Sequence, residues 1–169
     1  MRRLVLIVAV CLSAAFGAQA DPAQRDALAG FDGVDFGAAF ETVKKRLGAN
    51  AKADTDPVDA SIKILLAKAS YFGETFSVNY TFAAAGNFSA AYGVAHLPTG
   101  DFGVCQTRWV KVLGRVEEEW GKPDGNLNTL GAAVPSQMIT YVFGDGAMIE
   151  AGIMGCLLTL SYLSPAAAK

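Results

Sequence analysis

Histidine occurs once in this 169-residue chain, at position 96, and cysteine only three times. A hydrolase built on His96 would need an activated serine or cysteine beside it, and no Gly-x-Ser-x-Gly elbow is present. A metal site would need two or three carboxylates there, yet the nearest acid, Asp101, follows Pro98-Thr99-Gly100. No Cys-x-x-Cys occurs, which removes the usual dithiol redox spacing. Basic runs are scarce too. Beyond Arg2-Arg3 only Lys44-Lys45-Arg46 remains, and phosphate backbones need a clustered basic surface, so nucleic acid is not an expected partner. On a short helix those three cations form a solvated face and complement the C-terminal end of the dipole.

Two motifs invite chemistry and do not carry it. Asp-Phe-Gly, at 35–37 and again at 101–103, comes without a glycine-rich phosphate loop or a His-Arg-Asp segment. Asp as a helix N-cap, Phe packed beneath the helix and Gly at an unusual backbone angle account for it. The acids Glu117-Glu118-Glu119 fan out around a helix, and a catalytic carboxylate needs burial or a charged neighbour to tune it. No catalytic, cofactor-binding or metal-ligating residue is assigned, and the chain is read as non-enzymatic.

What is present begins with an export signal. Arg2 and Arg3 form a basic start, Leu4 to Phe16 is an apolar run, and Ala18-Gln19-Ala20 offers small residues for cleavage. That run falls short of the roughly 20 residues of a membrane span. A retained anchor is the alternative reading; a lipid anchor is disfavoured because Cys11 follows Val10 inside the apolar run. Removing residues 1–20 leaves 149, and the lost arginine pair takes the formal net charge from −2 to −4. The expected location is periplasmic or secreted, with no membrane span after cleavage. Cys105 and Cys156 are then the remaining pair, and in an exported chain an even pair reads as a disulfide.

The chain also repeats itself. Asp35 to Gly48 and Asp101 to Gly114 agree at six of fourteen positions, and Tyr80-Thr81-Phe82 is echoed by Tyr141-Val142-Phe143. After a lead-in over 21–34, the reading is two tandem α-β-β-β units, 35–100 and 101–165, and a frayed tail at 166–169.

Periodicity places the elements. A short helix is expected from Asp21-Pro22 to Leu28. Phe40, Val43 and Leu47 form a helical stripe, ended by Gly48, and residues 49–57 read as a polar loop. Val58, Ile62, Leu65, Leu66 and Ala69 would suit a helix, but Ile62, Ile64 and Leu66 also alternate; a strand over 61–71 is favoured. Phe76, Val78, Tyr80 and Phe82 alternate cleanly, and a further strand spans 88–97. In the second unit Trp109, Val112, Leu113, Val116 and Trp120 mark a strong amphipathic helix, followed by a loop over 121–136. Strands at 138–143 and 147–154 flank Asp145-Gly146, a tight-hairpin signal, and 156–163 is the last strand. Grouping the helices on one face of an antiparallel sheet gives a two-layer α+β fold.

Gly37, Val43 and Leu47-Gly48, matched in spacing by Gly103, Trp109 and Leu113-Gly114, resemble the helix signature of the small outer-membrane assembly lipoproteins. Those proteins share a helix-plus-antiparallel-sheet unit with the β-lactamase inhibitor protein, which carries it twice. The resemblance implies that fold and a role in binding other proteins outside the cytoplasm. This chain departs from the lipoproteins in lacking their Pro after Leu-Gly and a usable lipidation cysteine, and no binding residue is carried over.

A sheet covered on one face leaves the other open. Tyr71, Tyr92 and Tyr162 are the candidate partner-binding residues there, each able to anchor an envelope protein if it points outward. The other reading is a small-molecule site or enzyme cleft between the units, drawing on the 121–136 loop and the Asp101 region.

Overall fold

A computed structural model describes residues 25–83, 85–98, 100–129 and 136–167. The export signal and most of the expected N-terminal helix lie outside the described residues; Arg25 to Leu28 are not helical. A small hairpin comes first, β1 (Gly30–Phe31) and β2 (Val34–Asp35), then helix α1 (Phe40–Leu47). Four strands follow: β3 (Lys52–Thr55), β4 (Lys63–Tyr71), β5 (Glu74–Phe82) and β6 (Phe88–His96). Helix α2 (Phe102–Trp120) precedes four more: β7 (Gly125–Asn128), β8 (Ser136–Val142), β9 (Met148–Met154) and β10 (Leu157–Leu163).

The fold is α+β: two helices against one antiparallel eight-stranded sheet, ordered β3-β4-β5-β6-β10-β9-β8-β7. Ala90 to His96 of β6 pair with Leu163 to Leu157 of β10, which joins the strands before α2 to those after it. Eight strands replace the six expected. β3 lies in the predicted 49–57 loop and β7 in the predicted 121–136 loop. All four residues of β3, and three of four in β7, are exposed, so neither strand carries the burial alternation that marks a strand in sequence.

Alternation elsewhere sets the two faces. Leu65, Phe76, Val78, Tyr80 and Phe82 point to the helices, as do Ile139, Tyr141, Ile149, Leu158 and Leu160, and all are buried. Helix α2 buries Cys105, Trp109, Val112 and Val116, a stripe at i, i+4, i+7 and i+11. The Trp109 indole N–H donates to Gln137 Oε1 at 2.7 Å, so its one polar atom is satisfied. Helix α1 is short and fully buries only Val43; the Phe40 ring meets Phe82 edge-on at 4.9 Å.

The two Asp-Phe-Gly segments divide the roles foreseen for both. Asp101 caps α2, accepting from the Gly103 and Val104 N–H groups, and Gly103 lies in the first helical turn. Asp35 sits instead in β2, α1 has Ala39 at its N-cap with no side-chain bond, and only Gly37 takes a positive φ, +86°. Asp35 pairs with Gly30 in β2, and residues 36–39 separate it from the start of α1, so it stands too far from the helix to cap it. Gly114 falls within α2, which runs on to Trp120, whereas Gly48 ends α1.

The N-terminal segment straps both halves. The Arg25 guanidinium pairs with Asp124, donates to the Trp120 and Lys122 carbonyls, and lies 4.9 Å from the Tyr141 ring centre. Farther along, Phe31 is 3% exposed and packs on Tyr71, Tyr80 and Tyr162, from β4, β5 and β10, at 4.6–5.6 Å. Its hairpin turn, Asp32-Gly33, holds both residues at positive φ, the geometry of a two-residue I′ turn. Cys105 and Cys156 form a disulfide, Cα–Cα 5.2 Å, tying the first turn of α2 to the β9–β10 turn. Pro165 to Ala167 make a turn, with the Ala167 N–H bonded to Ser164 O at 2.9 Å; the last two residues of the expected frayed tail lie outside the described residues.

Two measurements test this account. Phe31→Ala is expected to cost about 3–5 kcal/mol in urea denaturation, the usual loss for a buried Phe; a cost under about 1 kcal/mol would make the hairpin a passive cover. Cys105→Ser with Cys156→Ser should remove up to about 4 kcal/mol, the chain-entropy limit for a loop of this size.

Candidate interaction surface

The side chains that alternate away from the helices form the open face of the sheet. Register places Met138 of β8 between Leu127 and Gly152, and Met154 of β9 between Ser136 and Leu157. Met148 lies between Val142 and Leu163. All three methionines after Met1 therefore share this face on adjacent strands. Tyr92 is opposite Ser161 on β10, which is opposite Glu150 on β9.

Seven large apolar residues are exposed among those described, and four of them, Tyr92, Leu127, Met138 and Met154, lie on this one face. Val58, Val104 and Val110 are in a loop or on α2, apart from it. The exposed four are 38–59% accessible, a concentration that scattered surface hydrophobes do not produce. Between Met138 and Thr159 the sheet carries Gly152, where a Cβ would come within 2.9 Å of Gln137 O. The backbone is crowded there, and Gly152 is buried. Unbranched, polarisable methionines make a surface that reshapes to fit what it meets.

The three tyrosines named from sequence part company. Tyr92 points outward and is 45% exposed. Tyr162 is 3% exposed, because its register opposite Ala91 and Ile149 puts it on the covered side. Tyr71 is half-buried on that side, stacked on Phe31. The outward direction on which all three were chosen therefore holds for Tyr92 alone. In β10 the covered set, Leu158, Leu160 and Tyr162, is wholly apolar while the other set carries Thr159 and Ser161, so the alternation itself puts Tyr162 on the covered side. The methionines were missed, although Met138 alternates with buried Ile139 and Tyr141.

The covered tyrosines form a polar seam around the strap. Tyr80 donates to Asp32 Oδ2 at 3.3 Å, and the Asp32 N–H donates to the Tyr71 oxygen at 3.1 Å. Tyr141 donates to Gly121 O at 3.1 Å. The Tyr162 hydroxyl is buried and has no hydrogen-bond partner among the described residues. Burial raises the pKa of all five tyrosines, Tyr141 to about 12. For Tyr92 the Glu150 charge adds to the burial. Partial desolvation raises Glu119 as well, although it shares the exposed side of α2 with Glu117 and Glu118. His96 is exposed at the end of β6, opposite Leu157. Among the described residues no group of three His, Cys, Asp or Glu side chains is placed to hold a metal, and no helix is long and apolar enough to cross a membrane.

Comparison with protein families, curated proteins and solved structures finds no match to this chain.

The unpaired hydroxyl sets one expectation. Tyr162→Phe should leave stability unchanged or raise it by about 1 kcal/mol, since it removes a desolvated group that gains no bond; a loss above about 1 kcal/mol would mean the hydroxyl is satisfied in solution. A second follows from linkage. With folded pKa values raised above the unfolded value near 10, the unfolded chain holds fewer protons once the pH passes 10. The tyrosine contribution to stability is thus constant below about pH 10 and declines as pH rises through the folded values. Chemical denaturation at pH 8, 10 and 11 should show that plateau and fall.

Proposed function

We propose that this protein is an exported, periplasmic or secreted, interaction module that binds or inhibits an envelope protein through the open face of its sheet and has no catalytic role. The observation that carries the reading is the apolar patch of Leu127, Met138 and Met154, with Tyr92 exposed on the same face two strands beyond β9. A partner that covered it would gain the hydrophobic burial a stable interface draws on. The basic start, apolar run and small-residue site of residues 1–20 support export, and the disulfide accords with an oxidising compartment.

The same proposal includes an origin by duplication. Two copies of a unit that begins with a helix and continues into antiparallel strands would give a strand order running in from β3 to β6 and out from β10 to β7. The agreement of Asp35–Gly48 with Asp101–Gly114 supports it. Such a plan is that of the tandem helix-and-sheet proteins to which the sequence bears a resemblance. A cleft between the halves is less favoured, since Phe31 packs across that junction.

A photoreactive residue placed at 138 or 154 in living cells is expected to trap one dominant protein, competed away by excess unlabelled module. The same probe at Val110, exposed on α2, should trap none; equal capture from both would remove the sheet face from the reading. With the partner in hand, Tyr92→Ala and Met138→Asp should each weaken binding about tenfold or more. Intact mass of the exported protein should show cleavage after Ala20 and no free thiol.

A further inference from the structure

The same open face holds a second, different feature at its other end. The short edge strand β3 pairs Lys52 with Leu66, so Lys52 and Lys68 are diagonal neighbours on one side of Leu66. Across β4, Ser77 stands opposite Lys68 and Asn79 opposite Leu66. Asn50, in the turn after α1, closes the remaining side. Together these residues line a cavity of about 560 Å³.

The charge of the lining is of one sign: lysine offers only donors, while asparagine and serine can donate or accept. No carboxylate lines the cavity. The nearest acid on this face, Asp54, lies farther along β3 and already accepts from the Thr55 N–H at 2.8 Å. Three other cations are engaged: Arg25 with Asp124 and Arg108 with Glu74, and Lys63 5.4 Å from the Phe40 ring centre. Neither Lys52 nor Lys68 has an ion-pair partner among the described residues. Two like charges held side by side repel unless a counter-charge lies between them.

The size argues for an organic ligand. A cavity of several hundred cubic ångströms is that of a small-molecule site, far more than an inorganic ion occupies, and Leu66 supplies an apolar floor. We propose that this cavity binds a small organic anion, its carboxylate or phosphate oxygens held between Lys52 and Lys68 and its body resting on Leu66. Ser77, Asn79 and Asn50 orient the head through hydrogen bonds. The site is separate from the apolar patch around Met138, and stands or falls independently of the partner reading.

The test is amide NMR of the mature, disulfide-bonded protein titrated with glutarate, with glycerol 3-phosphate, and with neutral glutaramide and glycerol. Saturable shifts are expected at residues 50–52, 66–68 and 77–79 with at least one anion and with neither neutral compound. The tighter anion then identifies the ligand class as carboxylate or phosphate ester. The double variant K52Q/K68Q, exposed at both positions and checked for folding by its own spectrum, should bind about tenfold more weakly or worse. N79D, which places an acid in the lining, should do likewise. The proposal is overturned by the absence of shifts with both anions, by non-saturating shifts spread over other lysines, by equal response to the neutral compounds, or by undiminished affinity in K52Q/K68Q.

Discussion

The antiparallel pairing of β6 with β10 is the contact on which the molecule depends. It joins strands that lie on either side of α2 in the chain and turns two sets of four into one sheet. Side chains alternate strictly across a strand, so this register couples the parity of both sets. A slip of one residue would send Leu158, Leu160 and Tyr162 to solvent and bring Thr159 and Ser161 under the helices. The burial of the first three holds the register, and the register in turn decides what the opposite face displays.

The covered side is closed by elements that are individually weak. α1 is only eight residues, too short to be stable alone, and the β1–β2 hairpin has two residues per strand. Each persists because it is tied at several places: Gly37 and Ala38 bond the backbone of Phe88, Phe31 sits among three tyrosines, and Arg25 grips the loop after α2. Sequestering Phe31 and Val34 there also fills the space where the helices would otherwise leave a gap. The consequence for function is a filled interior and two features left to solvent on one plane, an apolar patch toward β7 and a donor-rich cavity toward β3.

These two features differ in what they demand of a ligand. Methionine, leucine and tyrosine side chains reward burial without fixing direction, whereas the lysine pair rewards charge at one place. Were both occupied as proposed, the face would discriminate more finely than either feature alone, since an apolar surface by itself accepts many partners. The strain in the fold lies away from this face. Phe72 occupies the left-handed region at φ +52° in the β4–β5 turn, offset by ring contacts to Trp120 and Tyr71.

Local pattern was enough for the elements that bury a regular stripe. The helix at Trp109 to Trp120, the strands at 76–82 and 88–96, the strand rather than helix after residue 61, and the cysteine pair could all be read along the chain. Periods of 3.6 and 2 leave their mark wherever one side of an element meets a core. The exposed edges β3 and β7 left no such mark. Nor did the fate of Asp35, which pairs with Gly30 in a hairpin held by the burial of Phe31 among three tyrosines. The open face belonged to the same class: Leu127, Met138 and Met154, or Lys52, Lys68 and Asn79, come together through strand register between separate segments. That register is set by long-range burial, which no short window of sequence contains.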